Sequence, residues 1–378
     1  MAGIYIHVPF CKKLCTYCDF YHVMTLSDNY DFVEAVVRES EIRKGYIGNE
    51  SISSIYFGGG TPSVLPVRYL GLILESIWKN YSVDRDCELT IEINPDDAEY
   101  EYMTDLKKLG VNRISLGIQS WDDNILKLLN RRHDARQAAM ALERSLKAGF
   151  DNVTIDLIYG IPMLTSGQWS ETLDKSLAFD IKHLSAYHLT IEPGTVLWKM
   201  KERGAFNEID EEESSHQFNI LIEKTASMGF VHYEISNFGK PGYFSRHNTN
   251  YWKQVNYIGL GPSAHSYNGY SRQWNVRDLK KYIKSVNSGK PLFEREELDR
   301  KTQFNEYIMT SLRTMWGIDL EYVEMKFEKE GYDYIMNLAG KLIDYGLMKQ
   351  NMKTLVLTNQ GKMISDNIIS ELMLPVGD

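Results

Sequence analysis

Three scarcities frame this chain of 378 residues. It has only four cysteines, too few to staple a fold of this size with disulfides. It has no run of about 18 apolar residues, so no membrane-spanning helix is expected. It also lacks an excess of positive charge: 42 Lys and Arg against 51 Asp and Glu leave a net charge of −9. That balance speaks against a protein that coats nucleic acid. The opening MAGIYIHVPF has neither a basic stretch nor a small-residue cleavage site, so it is not read as a signal peptide, and the expected compartment is the cytosol. No internal repeat or low-complexity segment stands out. What remains is ordinary globular composition, 43% hydrophobic and 25% charged, in a length that fits one large domain or two average ones.

Hydrophobic periodicity alternates through the first half. Residues 3–10, 51–57, 87–94, 111–119, 152–160 and 183–191 read as six strands. Helical patterns fall between them at 28–43, 66–81, 100–109, 135–148 and 169–179. Strand–helix alternation implies parallel pairing with right-handed crossovers. No Gly-x-Gly-x-x-Gly follows the first strand, which argues against a dinucleotide-binding sheet. The expected fold is α/β, a partial (β/α)6 barrel, whose chemistry would sit at the C-terminal strand ends. Polar residues do collect there: a cysteine cluster after strand one, Gly58-Gly59-Gly60 after strand two, Glu92, Gln119 and Asp156 on strands three to five. After about residue 195 the pattern changes. Residues 211–227 read as a helix, 237–275 mainly as loop or short strands, and 300–378 as short helices with a hairpin at 347–358. Three parts are therefore expected: a core at 1–235, a connector at 236–295, and a small α+β, winged-helix-like accessory domain at 296–378.

Cys11, Cys15 and Cys18 form Cys-x3-Cys-x2-Cys, with Cys87 far away. Soft thiolates suit iron–sulfur clusters. Three ligands on a four-iron cluster leave one iron open, and open positions mark catalytic sites rather than structural ones. A structural zinc ion would need a fourth donor, from His7, His22 or Cys87. The three thiols could also simply pack.

Cys-x3-Cys-x2-Cys behind the first strand of a βα series resembles the radical S-adenosylmethionine (SAM) superfamily. The resemblance implies a 4Fe-4S cluster whose open iron chelates SAM. Tyr5-Ile-His-Val-Pro-Phe-Cys11 and Cys18-Asp-Phe20 are similar to the branch that contains oxygen-independent coproporphyrinogen III oxidases and HemW-type heme chaperones. So are Gly58-Gly59-Gly60-Thr61-Pro62, Leu116-Gly-Ile-Gln119, Asn130-Arg131 and Asp156-Leu-Ile-Tyr-Gly160. It implies that Gly59, Gly60 and Thr61 hold the methionine part of SAM, with Glu92, Gln119, Arg131 and Asp156 around it. Arg131 could pair with a carboxylate bidentately. Tyr5 and Tyr17 would flank the cluster loop, or be core.

Two departures separate the chain from the oxidases. They continue with a further Cys-x-Cys where this chain has Cys18-Asp-Phe20, and they carry a longer segment ahead of the motif, which here begins at residue 11. Arg246-His247-Asn248-Thr-Asn-Tyr251-Trp252 resembles instead the His-Asn-x-x-Tyr-Trp motif of the chaperones. His247 is the expected heme contact, since neutral imidazole is a good iron ligand, and His265 a second candidate. Without the resemblance, either would be read as a hydrogen-bonded loop residue. The resemblance implies a protein that binds heme and passes it to an acceptor apo-hemoprotein, with an electron donor for the cluster and a dimer as a possible state. The alternative is the oxidase, which decarboxylates two propionates. A third option is a cluster-bearing module that contacts a protein partner. No residue is assigned a catalytic step.

Overall fold

The computed structural model describes residues 1–375. The first part alternates strands β1 (Ala2–Val8), β2 (Ile52–Gly59), β3 (Val83–Ile93), β4 (Arg113–Gln119), β5 (Asn152–Tyr159) and β6 (His183–His188) with helices. These are α1 (Asn29–Ile42), α2 (Val67–Asn80), α3 (Tyr100–Leu109), α4 (Asp123–Leu128), α5 (Ala135–Lys147) and α6 (Ser166–Leu177). The short α4 was not expected; its Asp122 cap accepts the amides of Asn124 and Ile125. Strands β1 to β6 pair in chain order and in parallel. Their apolar runs are buried on both faces, as parallel strands under helices require. Helix ends follow local chemistry. Asp134 and Gln137 form a capping box on α5, Thr165 and Gln168 another on α6, and Gly110 closes α3 in the left-handed region.

The sheet grows at both edges. Beyond β6, helices α7 (Val196–Glu202) and α8 (Glu211–Ser227) precede β7 (Val231–Glu234) and β8 (Asn237–Gly239), and β8 pairs antiparallel with β6. Then come α9 (Arg246–Trp252), β9 (Tyr257–Leu260), β10 (His265–Tyr267), β11 (Ser271–Asn275), α10 (Leu279–Asn287) and β12 (Phe293–Glu297). β9 pairs in parallel with β1, and β10 to β12 follow it antiparallel, giving a sheet of 12 strands. Residues 237–275 are thus more ordered than their composition suggests. The segment contributes a seventh parallel strand and a helix, and the chaperone-like motif lies on that helix rather than in a loop.

The C-terminal part holds α11 (Arg300–Leu312), the two-residue β13 (Ile318–Asp319), α12 (Leu320–Asp344, broken at Glu328), the hairpin β14 (Met348–Asn351) and β15 (Thr354–Leu357), α13 (Asn359–Met363) and α14 (Ser365–Leu372). One hydrophobic core runs from Ala2 to Val286 and a separate one from Phe304 to Leu372. No described helix is long and apolar enough to cross a membrane.

Candidate functional site

The three cysteines lie on the loop from β1 to α1, at the C-terminal end of β1. The loop is clipped to the far side of the strand ends. Asn130 Nδ2 donates to Leu14 O at 2.6 Å, Thr16 Oγ1 to Leu128 O at 2.9 Å, and Thr16 N to Leu129 O at 3.2 Å. Asn130 itself adopts φ 57°, a conformation asparagine tolerates better than most residues. Thr61 Oγ1 points at Cys11 Sγ (3.5 Å) and Arg131 Nη1 at Cys15 Sγ (3.3 Å). Both are donors suited to a thiolate. Burial pushes the Cys18 thiol up to about 12 and raises that of Cys11, so a metal centre must supply the charge that drives these protons off. Among the described residues no three His, Cys, Asp or Glu side chains converge as donors to one ion. A cubane asks for something different, one thiolate on each of three irons. His7, a conceivable zinc donor, has both ring nitrogens committed, to Tyr5 OH (3.1 Å) and Tyr21 O (2.9 Å). Cys87 sits on β3 and lines neither of the cavities described next.

A cavity of about 450 Å³ opens beside the cysteines. Tyr17, Gly59, Gly60, Thr61, Glu92, Gln119, Arg131 and Asp156 all line it, a size typical of small-molecule sites. Gly59 has φ +108°, and a Cβ there would stand 2.6 Å from His7 Nδ1; one at Gly60 would meet the Pro9 carbonyl carbon at 2.8 Å. Glycine is required at Gly59 by its left-handed φ and the His7 ring, and at Gly60 because backbone passes backbone there. Gln119 ends β4 at φ 67°, a strained position for a side chain of this length and one that gathers at functional sites.

Cations and acids both line the cavity, Lys13, Arg113, Arg131 and Arg132 beside Glu92 and Asp156. Glu92 is fully buried; burial, and then Asp156, raise its carboxyl to about 7. Burial likewise raises Asp156 to about 6. Tyr56 OH donates to Glu92 Oε1 at 2.9 Å, and Ser115 Oγ to both Asp156 oxygens at 3.1 and 3.0 Å. Neither carboxylate has a salt-bridge partner among the described residues. Arg113 and Arg131 partly offset Asp156, whereas Glu92 is acted on only by burial, Asp156 and hydrogen bonds; a sulfonium or an ammonium beside Glu92 would favour its charged form. Arg131 does not pair with a protein carboxylate as its fork allows. Nη1 also reaches Tyr17 OH (3.4 Å), while Nη2 donates to Gly117 O (2.8 Å) and to Asn94 Oδ1. Its buried Nε has no partner.

Tyr5 and His247 are not with this group. They line a second cavity of about 640 Å³, which lies between the β1–β9–β10 edge and α11. The two cavities share Asp19, Phe20, Tyr56, Glu92, Tyr187 and Asn248. His247 is 2% exposed. Its Nδ1 is bonded to Ser54 Oγ and its Nε2 to Tyr251 OH, each at 2.9 Å. Its ring stacks on Tyr56 with centroids 5.0 Å apart. Burial lowers its pKa to about 3, so the ring is neutral, but no nitrogen lone pair is free for a metal. His265 lines the same cavity.

Sequence reasoning did not single out Tyr56, Asn94, Ser115 or Tyr187, although all line the first cavity. Tyr56 and Ser115 were findable by the rule that had selected Asp156, a polar residue inside an apolar strand.

Comparison with known proteins places this geometry. Residues 5–175 match the Radical SAM superfamily. The chain is 31% identical over 376 residues to the heme chaperone HemW of Bacillus subtilis, covering 99% of each. It is 33% identical over 371 residues to that of Lactococcus lactis, covering 98% of this chain and 97% of the relative. With the Synechocystis HemW it shares 36% over 329 residues, 84% of this chain and 79% of the relative. Among solved structures, the Escherichia coli coproporphyrinogen III oxidase HemN superposes with a TM-score of 0.84 at 22% identity, over 98% of this chain and 90% of that one. That likeness concerns the fold. The chain belongs to the radical SAM superfamily and, within it, to the family of HemW heme chaperones.

Proposed function

We propose that this protein is a heme chaperone that carries a 4Fe-4S cluster on Cys11, Cys15 and Cys18, binds SAM in the first cavity and takes heme into the second. The observation that carries this reading is the near-full-length similarity to HemW chaperones. The residues fit it: donors face two cysteine sulfurs, the buried Glu92 and Asp156 line the first cavity, and tyrosines with Arg272 and Arg277 line the larger one. Bound there, the cluster would supply an open iron and a source of single electrons. The protein's own part is to hold and to exclude. Gly59 and Gly60 let backbone close on a ligand, Glu92 and Asp156 take its positive end, and Arg131 braces the loop under Cys15. Heme is cargo, received in the cytosol for an acceptor hemoprotein.

The test is a ferric-heme titration of anaerobically purified protein, read by the Soret band. A parallel incubation contains coproporphyrinogen, SAM and a reductant. Saturable heme binding without decarboxylated product supports the chaperone. Decarboxylated product would establish the oxidase instead, and neither signal would leave the third reading, a cluster-bearing module. Replacing Cys11, Cys15 and Cys18 with serine must abolish bound iron; retention of iron, or zinc in its place, refutes the cluster.

A further inference from the structure

We propose that His265, rather than the motif histidine His247, presents the iron-binding nitrogen to heme in the second cavity. This rests on the heme-chaperone reading above. Three histidines line that cavity: His7, His247 and His265. The first two are 3% and 2% exposed, and each has both ring nitrogens hydrogen-bonded. Freeing His247 would take from Tyr251 its hydrogen-bond partner in a buried setting, leave Ser54 only the longer bond from Asn250 (3.4 Å), and break the stack on Tyr56. His265 is exposed, and among the described residues neither of its ring nitrogens has a hydrogen-bond partner.

Its position follows from topology. β9 runs parallel to β1, Gly3 opposite Tyr257 and Ile6 opposite Leu260, so both strands end at the same rim. The turn Gly261–Ala264 reverses the chain there, with Gly261 at φ +98° packed against the His7 carbonyl. His265 opens β10 at that rim, near the cysteine loop. Strand alternation fixes where it points. Ser266 Oγ accepts from the buried Arg43 at 3.0 Å on one face, so His265 and Tyr267 face the other way, toward the cavity they both line. The ring lies against Trp274, directly across the β10–β11 ladder, with centroids 6.0 Å apart and planes 25° apart. That contact limits how the imidazole can turn.

The rest of the cavity suits a flat dicarboxylate. Arg272, opposite Tyr267 in the ladder, pairs with Glu306 at 3.0 Å and keeps a buried Nε without partner. Arg277 donates to Asp19 O at 2.5 Å and lines the same wall. Guanidinium groups match carboxylates such as propionates, and Tyr251, Trp252 and Tyr257 offer aromatic surface to a porphyrin. Partial burial and the Arg272 charge lower the pKa of His265, which favours the neutral ring that binds metal. His247 then acts as a positioning residue: it ties α9 to β2 through Ser54 and forms the floor beneath the porphyrin.

The experiment compares the full-length wild type with His265→Ala, His247→Ala, His247→Gln and Arg272→Gln. Ferric heme is titrated while the Soret band and the iron spin state are recorded. Melting of the heme-free proteins is measured alongside. His265→Ala should lose the imidazole-ligated spectrum, weaken heme by at least about ten-fold, the scale already reached when only a ligand's outer-shell partner is lost, and melt like the wild type. Free imidazole should restore the spectrum. His247→Ala should melt earlier yet keep the ligated spectrum, and His247→Gln, which can still bond Ser54 and Tyr251, should keep both. Arg272→Gln should weaken heme with the spectrum unchanged. An unaltered spectrum in His265→Ala, or its loss in His247→Gln, overturns the assignment while leaving the chaperone reading intact. A wild type with no Soret band at all overturns both.

Discussion

Glu92 shows how much a single residue can report. Burial and Asp156 raise its folded-state carboxyl to about 7, above the value of about 4.3 for a free side chain. Between those two values the folded, ligand-free protein holds a proton that the unfolded chain has lost. Stability must therefore fall as pH rises through this window, and the full loss is present above pH 7. Glu92→Gln removes the loss: it should melt above the wild type at pH 8, with the gap closing by pH 5. SAM affinity should move the other way, strengthening in the wild type as Glu92 ionises and staying flat in the variant. Calorimetric titration across that range checks the second half; parallel curves would refute the role given to the carboxylate. Gly59 supplies a simpler case. Its φ of +108° and the 2.6 Å approach to His7 mean that Gly59→Ala should lose about 1–3 kcal/mol of stability, seen as a lower urea midpoint.

At the scale of elements, the strand–helix order was legible because buried parallel strands write themselves as apolar runs. The polar residues that interrupt those runs, Glu92 and Asp156 among them, line the first cavity. Segment 237–275 was not legible. α9 has only seven residues and no amphipathic period, and it is held by groups remote in sequence. Glu88 accepts the backbone amides of Arg246 and His247 at 2.9 and 3.0 Å, while Ser245 caps the first turn. β9 is four residues long and exists because β1 pairs with it across about 250 positions. No local window contains that information. The hydrogen bonds of His247 were hidden for the same reason, since its partners Ser54 and Tyr251 meet only after folding. The edge containing β9 is fastened by Arg43 on the last turn of the α1 segment, which donates to Glu39, Gly259 O, Ser266 and Gln273 at 2.9–3.1 Å. Arg43→Met would leave Glu39 buried without its countercharge. We expect a loss of about 3–5 kcal/mol in denaturant unfolding, typical of a broken buried pair; a loss below about 1 kcal/mol would mark the network as dispensable.

On the scale of the molecule, two cores meet at the larger cavity. Glu306, Met309 and Thr310 of α11 form part of its wall. Main-chain bonds from Ile235 N to Arg313 O (3.0 Å) and from Met315 N to Tyr233 O (2.9 Å) hold the C-terminal part to β7. A ligand in that cavity touches both cores, so heme at about 100 times its dissociation constant should add about 2.7 kcal/mol to a cooperative transition. Scanning calorimetry should show the whole melt move upward. A shift confined to one of two resolved transitions would place heme elsewhere.

The two cavities share lining residues, Tyr56, Glu92 and Tyr187 among them. Side chains that touch both spaces give the two ligands a common contact, and thermodynamics makes any coupling symmetrical: if SAM alters the hold on heme by some factor, heme must alter the hold on SAM by the same factor. A carrier constructed this way can be told to grip or let go of its load by a small molecule that never touches the iron.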